Sequence, residues 1–199
     1  GTASLSRCAI VQNEALYGGG CSVSCNAAAS FVDCDLVYNV ATYLGGGAYL
    51  PGSSTFERCN ICSNQAVEDS AHSAGGGLCV LGSATLSRCT VSHNDAADRG
   101  GGIMLYEPGD QFGEHFGGGC TAATLQLVQS DLYGNYARLG GGVAIACCLA
   151  CCGCDGQVAC AVSQLAHEKG RQESGVILWR SVCGAIKCLV GTVDLLQRG

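Results

Sequence analysis

The sequence is poor in proline and in charged residues. Only 2 of its 199 residues are proline, and only 13% are Asp, Glu, Lys or Arg. The scarcity of proline, beside 31 glycines, argues against a disordered Pro/Gly-rich chain, in which both residues are abundant. Because 48% of the residues are hydrophobic, we expect a buried core beneath a thinly charged surface.

Basic residues are also few, and they form no run. Ten Lys and Arg stand against sixteen Asp and Glu, which gives a net charge of −6. A nucleic-acid-binding surface needs a basic stripe that neutralises phosphates, so we predict no nucleic-acid partner. No Lys-Ser/Thr pair follows the glycine-rich segments, so we also predict no nucleotide partner.

The chain lacks a recognisable targeting or membrane-spanning segment. It begins Gly-Thr-Ala-Ser-Leu, without Met or a basic region, and these residues already belong to a repeat. We therefore expect a fragment of a longer protein, whose other parts would provide any membrane attachment. The most apolar stretch, residues 143–162, contains six cysteines and an aspartate, which makes it a poor transmembrane span.

An internal repeat dominates the sequence. Five segments share the pattern (L/F)-x-x-C-x-(I/L/V)-x-x-N-x-A, and the only exception at the cysteine position is Ser130. A glycine triplet follows each segment, at residues 18–20, 45–47, 75–77, 100–102 and 140–142. The repeat asparagines are Asn13, Asn39, Asn64, Asn94 and Asn135, so successive copies are 26, 25, 30 and 41 residues apart. Such agreement over five copies indicates a repeat architecture.

Short apolar segments bounded by Gly and Asn predict short strands joined by turns. Helical repeats are disfavoured, because each glycine in a helix costs about 1 kcal/mol. We predict an all-β protein, a right-handed single-stranded parallel β-helix (a pectin-lyase-like solenoid) with about five to seven coils. The two longer steps would carry insertions, at residues 67–74 and 107–119.

The domain boundary is predicted near residue 147. Residues 1–147 would form the β-helix repeats, and residues 148–199 a Cys-rich C-terminal segment of degenerate coils or a cap. Within that segment we expect a short helix over residues 161–173 and strands at 176–179 and 186–193. A cap is the physical expectation, because an open solenoid end invites edge-to-edge pairing.

Stacking of coils about 4.8 Å apart would bring equivalent residues into columns. We expect the (L/F), Cys and (I/L/V) columns to fill the interior. An Asn at a turn can hydrogen-bond the backbone and stack on the next Asn, and it tolerates the left-handed conformation. The glycine triplets would provide positive φ at a sharp corner and allow close backbone approach.

The N-x-A element followed by GG-(A/L/I/V), and preceded by a hydrophobic residue and Cys, resembles the polymorphic outer membrane protein (Pmp-type) repeat. That repeat carries GGA(I/L/V) and FxxN motifs, and the resemblance covers residues 1–147. It implies a surface-exposed or secreted adhesin or autotransporter passenger, located extracellularly or at the cell surface, with a polysaccharide or a host or cell-surface protein as partner. The Phe of FxxN is replaced in this chain by Ile10, Leu36, Ile61, Val91 and Leu132.

The 17 cysteines are an odd number, so we interpret those in the repeat as repeat positions before disulfides. The column Cys8, Cys34, Cys59 and Cys89 could form disulfides or a thiolate metal row. Alternatively, these residues are small buried hydrophobic side chains, which free Cys resembles. We favour the second interpretation, because stacked side chains point in parallel and Ser130 fits the same column.

A cysteine cluster at residues 147–154 stands outside the repeat. Cys148, Cys151 and Cys154 form two overlapping CxxC pairs, with Cys160 nearby. Zinc and iron–sulfur sites use four thiolates at such spacing, but no second distant CxxC follows. Metal binding, a disulfide or a lipid-modified Cys therefore remain alternatives to an unremarkable terminal segment, and we assign no metal or cofactor.

The insertion at residues 107–119 interrupts the fourth copy. Its carboxylates Glu107, Asp110 and Glu114, with His115 beside them, could hold Ca²⁺ through oxygen ligands. The alternative that we favour is a solvated acidic loop. Insertions of solenoids lie on one face and often carry the binding surface.

Enzymatic function has weak support. Arg7, Arg58 and Arg88 precede the cysteines, and Asp33 and Gln129 occupy the same column. A β-helix polysaccharide lyase would use Arg or Lys as a base beside acidic Ca²⁺ ligands, and a glycoside hydrolase would use clustered Asp. Here acids and bases alternate outward, which predicts a surface charge ladder of small energy.

We therefore assign no catalytic, cofactor-binding or metal-binding residue, and predict a non-catalytic β-helix for adhesion or for glycan or protein binding. The alternative, a polysaccharide lyase or glycoside hydrolase, would need close carboxylates among Asp33, Asp35, Glu57 and Asp131. The four histidines are scattered and suggest no Ser/His/Asp arrangement. Ice binding would need a flat threonine ladder, and we find no threonine recurring in register.

Overall fold

The computed structural model describes residues 1–68, 73–106 and 123–146, together with the strands Cys160–Leu165 and Val176–Leu178. Within these residues the protein is all-β and contains no helix. Its strands pair in parallel, each with the equivalent strand of the next repeat. The predicted all-β, parallel architecture is confirmed, and the arrangement is consistent with a parallel β-helix.

Two rows of strands form one ten-stranded sheet, because the long strand β17 belongs to both. The first row contains β1 (Thr2–Ser6), β5 (Ala28–Val32), β9 (Ser53–Glu57), β13 (Ser83–Ser87) and β17 (Thr124–Tyr133), to which β20 (Cys160–Leu165) adds. The second row contains β2 (Ala9–Val11), β6 (Asp35–Val37), β10 (Asn60–Cys62), β14 (Thr90–Ser92) and the end of β17.

Two further sheets complete each repeat. The third row contains β3 (Glu14–Tyr17), β7 (Val40–Leu44), β11 (Gln65–Ala66), β15 (Asp95–Arg99) and β18 (Tyr136–Leu139). The fourth row contains β4 (Cys21–Ser22), β8 (Ala48–Leu50), β12 (Leu78–Val80), β16 (Ile103–Tyr106), β19 (Val143–Ala146) and β21 (Val176–Leu178).

The columns expected inside are buried. Strand pairing aligns Phe31 with Phe56, and Leu86 with Leu127. The rings of Phe31 and Phe56 stack with their centroids 4.6 Å apart. Burial of each large apolar side chain contributes about 1.5–3 kcal/mol. The first repeat is less covered, since Leu5 and Ile10 are only partly buried. The buried members are Phe31, Phe56, Leu86, Leu127, Leu36, Ile61 and Val91.

An asparagine ladder links the repeats. Oδ1 of Asn64 accepts hydrogen bonds from the backbone N of Asn39 at 2.9 Å and from its Nδ2 at 3.0 Å. Nδ2 of Asn64 also donates to the carbonyl of Leu36 at 2.8 Å. The same bonds recur from Asn13 to Asn135, which confirms the predicted bonding of this column.

The left-handed residues are not the asparagines themselves. Positive φ occurs instead at the residue immediately before each Asn and before each Cys or Ser of the cysteine column. The tolerance of Asn for the left-handed conformation is therefore not used at this turn: each Asn points inward and bonds a neighbouring repeat, and its outward predecessor makes the bend. These residues are Gln12, Tyr38, Ser63, His93, Gly134, Arg7, Asp33, Arg58, Arg88 and Gln129.

The glycine triplets serve both predicted purposes. The first glycine of each triplet has positive φ, as Gly45 does at +69°. The second lies against the backbone of the next repeat, and a Cβ on Gly46 would be 2.3 Å from the carbonyl oxygen of Gly76. Only glycine fits there, because the neighbouring atoms are backbone and cannot turn away.

The fourth row is buried on both faces. Leu78 and Val80 point into the main core, whereas the intervening Cys79 belongs to a second apolar cluster with Tyr49 and Met104. All three residues of β12 are fully buried. The repeat pattern ends at the glycines and did not predict this second cluster.

Strands continue the sheets beyond residue 147. β20 pairs in parallel with β17, and β21 pairs in parallel with β19. The predicted helix is therefore wrong over residues 161–165, where pairing with β17 satisfies the backbone as a strand and overrides local propensity. The strand predicted at 176–179 is confirmed over Val176–Leu178, and the remaining predictions for this segment lie outside the described residues. The described ranges contain no helix long and apolar enough to cross a membrane.

Candidate functional site

The cysteine column is a hydrogen-bonded ladder at the turn between the first and second rows. The thiols of Cys34, Cys59 and Cys89 are free and buried. Sγ of Cys89 accepts from the backbone N of Cys59 and donates to the carbonyls of Phe56 and Ser87, each at 3.4 Å. The column therefore fills space in the buried core, as the favoured interpretation expects, and also joins successive repeats through weak polar contacts.

Ser130 shows why a hydroxyl can replace the thiol. Its Oγ accepts from the backbone N of Cys89 at 3.1 Å and donates to the carbonyl of Val128 at 3.0 Å. The thiol and the hydroxyl satisfy equivalent backbone groups, since Cys and Ser each carry one donor and an acceptor. The position thus has a structural role that explains both residue types.

Four of the described thiols, those of Cys21, Cys34, Cys59 and Cys79, are poorly suited to metal or redox chemistry, whereas hydrogen bonding with Cys59 lowers the pKa of Cys89. Burial raises the pKa of Cys34 and Cys79, and raises that of Cys21 to about 12. The hydrogen bond to Cys89, with burial, raises the pKa of Cys59. Because the thiolate is the reactive and metal-binding form, these thiols stay protonated and inert at neutral pH.

Other cysteines add no constellation among the described residues. Cys25 is disulfide-bonded. No group of three or more His, Cys, Asp or Glu in the described ranges is placed to hold a metal ion. The cluster at 147–154 and the insertion at 107–119 both lie outside those ranges, so their metal and ligand hypotheses stay predictions.

The predicted surface charge ladder is present on the turn residues. Arg58 binds Asp33 with two hydrogen bonds, Nε to Oδ1 at 2.6 Å and Nη2 to Oδ2 at 2.9 Å. Arg58 also contacts Glu57, and Arg88 reaches the same Glu57 carboxylate at 2.6 Å. These side chains are 39–55% exposed, so solvent screens each pair and its contribution to stability is small.

The electrostatics of the ladder oppose acid–base catalysis. Hydrogen bonding to Arg58 lowers the pKa of Asp33, and hydrogen bonding to Asp33 raises the pKa of Arg58. A catalytic acid needs a raised carboxyl pKa and a catalytic arginine base needs a lowered one. Both groups are therefore held in their charged forms, as structural partners.

The other two candidate carboxylates are not brought together. Asp35 and Asp131 share one outward column of the second row, but Asn60 and Thr90 stand between them. Three strand separations place their Cα atoms about 14 Å apart. A lyase or hydrolase pair cannot be assembled from Asp35 and Asp131.

Two outward columns of the first row carry hydroxyl groups, and we call this surface the hydroxyl face. Eight of its ten residues are Ser or Thr and none is charged. The Oγ atoms of Ser53 and Ser83 lie 2.7 Å apart. The first column contains Thr2, Ala28, Ser53, Ser83 and Thr124, and the second contains Ser4, Ser30, Thr55, Thr85 and Gln126.

The hydroxyl face contradicts the prediction that no threonine recurs in register, because Thr55 pairs directly with Thr85. The repeat pattern began at the Leu or Phe position and omitted the three residues before it. Those residues give the signal that was missed, Ser/Thr at alternate positions. The segments are Thr-Ala-Ser, Ala-Ala-Ser, Ser-Ser-Thr, Ser-Ala-Thr and Thr-Leu-Gln.

Comparison with protein-family models, with curated proteins and with solved structures finds no match to this chain.

Proposed function

We propose that this chain is a right-handed single-stranded parallel β-helix of about five to seven coils, and that it is a non-catalytic scaffold for adhesion. In this proposal it acts at the cell surface or outside the cell, where it binds a polysaccharide or a host or cell-surface protein. The Pmp-type resemblance of the repeat supports this location and role, and the net charge of −6 disfavours nucleic acids as ligands.

Pairing of equivalent strands in successive repeats supports the β-helix. Columns of identical side chains run through the described repeats, as the Asn ladder and the stacked Phe31 and Phe56 do. No single repeat could bury its apolar face alone, so each depends on its neighbours. Such stacking yields an elongated body with long, regular outer faces, which suits a scaffold.

The observation that carries the non-catalytic role is that the repeated residues are engaged in holding the repeats together. The Asn and Cys columns bond one repeat to the next, and the triplet glycines permit close approach. Outside, the ladder carboxylates of Asp33 and Glu57 are neutralised by Arg58 and Arg88. This structural use of the repeated residues supports a non-catalytic role, and specificity is expected where the repeat is interrupted.

A glycan-array screen of the purified chain tests this function. We expect saturable binding to a restricted set of glycans, and loss of that binding when residues 107–119 are deleted. The matched control is Arg58→Ala, which removes a ladder charge and should leave glycan binding unchanged. Cleavage of any bound polysaccharide by the purified chain would overturn the non-catalytic proposal in favour of a lyase or hydrolase.

A further inference from the structure

We propose that the hydroxyl face binds ice. The five strands that form it are paired in register, so its outward side chains repeat in two directions. Neighbouring strands are about 4.8 Å apart, and alternate residues along a strand are about 6.7 Å apart. Oxygen atoms on the faces of hexagonal ice repeat at spacings of the same order.

The hydroxyl face matches ice in charge and in hydrogen bonding. Each Ser or Thr hydroxyl both donates and accepts, as each water in an ice surface does. The ten positions contain no charged residue, which matters because an ion holds its own hydration shell and opposes an ordered lattice. Charges begin only at the edge of the face, with Glu57 and the adjoining turn residue Arg58.

The hydroxyls are held on a rigid base. The intervening side chains point into the core, where Ala29, Ser54 and Ala84 form one buried column and Phe31 and Phe56 form part of the next. Burial on one side fixes which side chains face outward. Thr is also stiff about χ1, so the central pair Thr55 and Thr85 loses little freedom when it orders water.

The composition of the face favours ice over a sugar polymer. Sugar-binding surfaces commonly offer aromatic rings, which combine large apolar area with defined geometry. The two hydroxyl columns contain no Phe, Tyr or Trp. Eight of their ten side chains are the small hydroxyl residues Ser and Thr, which suit a regular array of water molecules.

Ice partitioning of the purified full chain tests the proposal. Ice is grown slowly in a dilute protein solution, and protein is measured in the ice and in the remaining liquid. We expect the chain to concentrate in the ice and to separate the freezing temperature from the melting temperature. Thr55→Lys combined with Thr85→Lys should abolish both effects, because two charges then lie at the centre of the face.

Two further variants make the result interpretable. Thr90→Lys introduces one such charge outside the hydroxyl face, on β14, and should partition as the unchanged chain does. Thr55→Tyr is a bulky, uncharged, strand-compatible change that should also abolish partitioning. Thermal unfolding followed by circular dichroism establishes that each variant is folded, so that loss of ice binding is not loss of structure.

Three outcomes would overturn the proposal. The unchanged chain could be excluded from ice as an ordinary protein is, or the Thr55 and Thr85 variants could partition as it does. In the third, the chain is excluded from ice but binds insoluble polysaccharide, and the same variants abolish that binding, which assigns the face to a glycan. None of these results depends on the insertion at 107–119, so the adhesive function is tested separately.

Discussion

The two left-handed turns of each repeat have the same backbone design but different side chains. In the asparagine turn a residue with positive φ precedes an inward Asn, and in the cysteine turn such a residue precedes an inward Cys or Ser. Both inward side chains bond to a neighbouring repeat. Asn occupies its position in all five copies, whereas the cysteine position accepts Ser130.

The difference follows from the chemistry of the two groups. A carboxamide has two donors and an acceptor oxygen with two lone pairs, so each internal Asn bonds to repeats on both sides, at 2.9–3.0 Å within the ladder. A thiol is a weaker donor and acceptor, and its contacts are 3.3–3.4 Å long. The asparagine turn therefore contributes more to stacking, and the cysteine turn tolerates exchange.

Asn64→Ala is the most severe test of this difference. It leaves the backbone N of Asn39 and the carbonyl of Leu36 without their side-chain partner in a buried site. Each unsatisfied buried group costs about 1–3 kcal/mol, so we expect the free energy of unfolding to fall by roughly 3 kcal/mol or more. Urea denaturation followed by circular dichroism measures this change.

Asn13→Ala is the matched control for the asparagine turn. Asn13 occupies the same column, but it is exposed and lies in the first repeat. Its removal should therefore cost clearly less than that of Asn64. Equal losses for the two variants would contradict the assignment of stacking energy to the buried ladder.

Cys89→Ala tests the cysteine turn and should have a smaller effect. The change removes the sulfur that accepts from the backbone N of Cys59 and donates to Phe56. We expect a loss of about 1–2 kcal/mol, near the cost of leaving one buried donor unpaired. Cys89→Ser should recover most of it, because a hydroxyl satisfies the same turn at Ser130. The comparison would fail if Cys89→Ser were as unstable as Cys89→Ala.

The two turns also show what could be predicted from the sequence. The inward residues could be predicted, because burial and hydrogen bonding restrict them to Asn, to Cys or Ser, or to a large apolar side chain in every copy. The left-handed residues could not, because their side chains point to solvent and vary freely, as Arg58, Tyr38 and His93 show. Only Gly134 is a glycine among these residues, so positive φ left no consistent glycine signature at these turns.

The hydroxyl face escaped prediction for a related reason. Side chains in an outward column need only be small and polar to suit an exposed strand. In the sequence alone, Thr55 and Ser30 therefore resemble ordinary surface residues. Their regularity becomes visible only when pairing places each beside its equivalent in the next repeat. The second apolar cluster around Cys79 and Met104 was missed because it lies outside the repeated pattern.

The smallest expected effect on stability comes from the exposed ion pairs, which form a ladder only at the cysteine turn. Hydrogen bonding to Arg58 lowers the pKa of Asp33 in the folded protein, so the carboxylate stabilises the fold at pH values above its unfolded pKa of about 3.9. That contribution is lost as the pH falls below about 4 and Asp33 becomes protonated. Asp33→Asn should therefore lower stability slightly at pH 7 and change it little at acidic pH. Thermal unfolding at a series of pH values, at low and high salt, measures the difference in stability, which salt should weaken.

The matched control is Asp35→Asn, two residues along the same surface and outside the ladder. If Asp33→Asn shows the same pH dependence as the unchanged chain, the Arg58 pair contributes nothing to stacking at this turn.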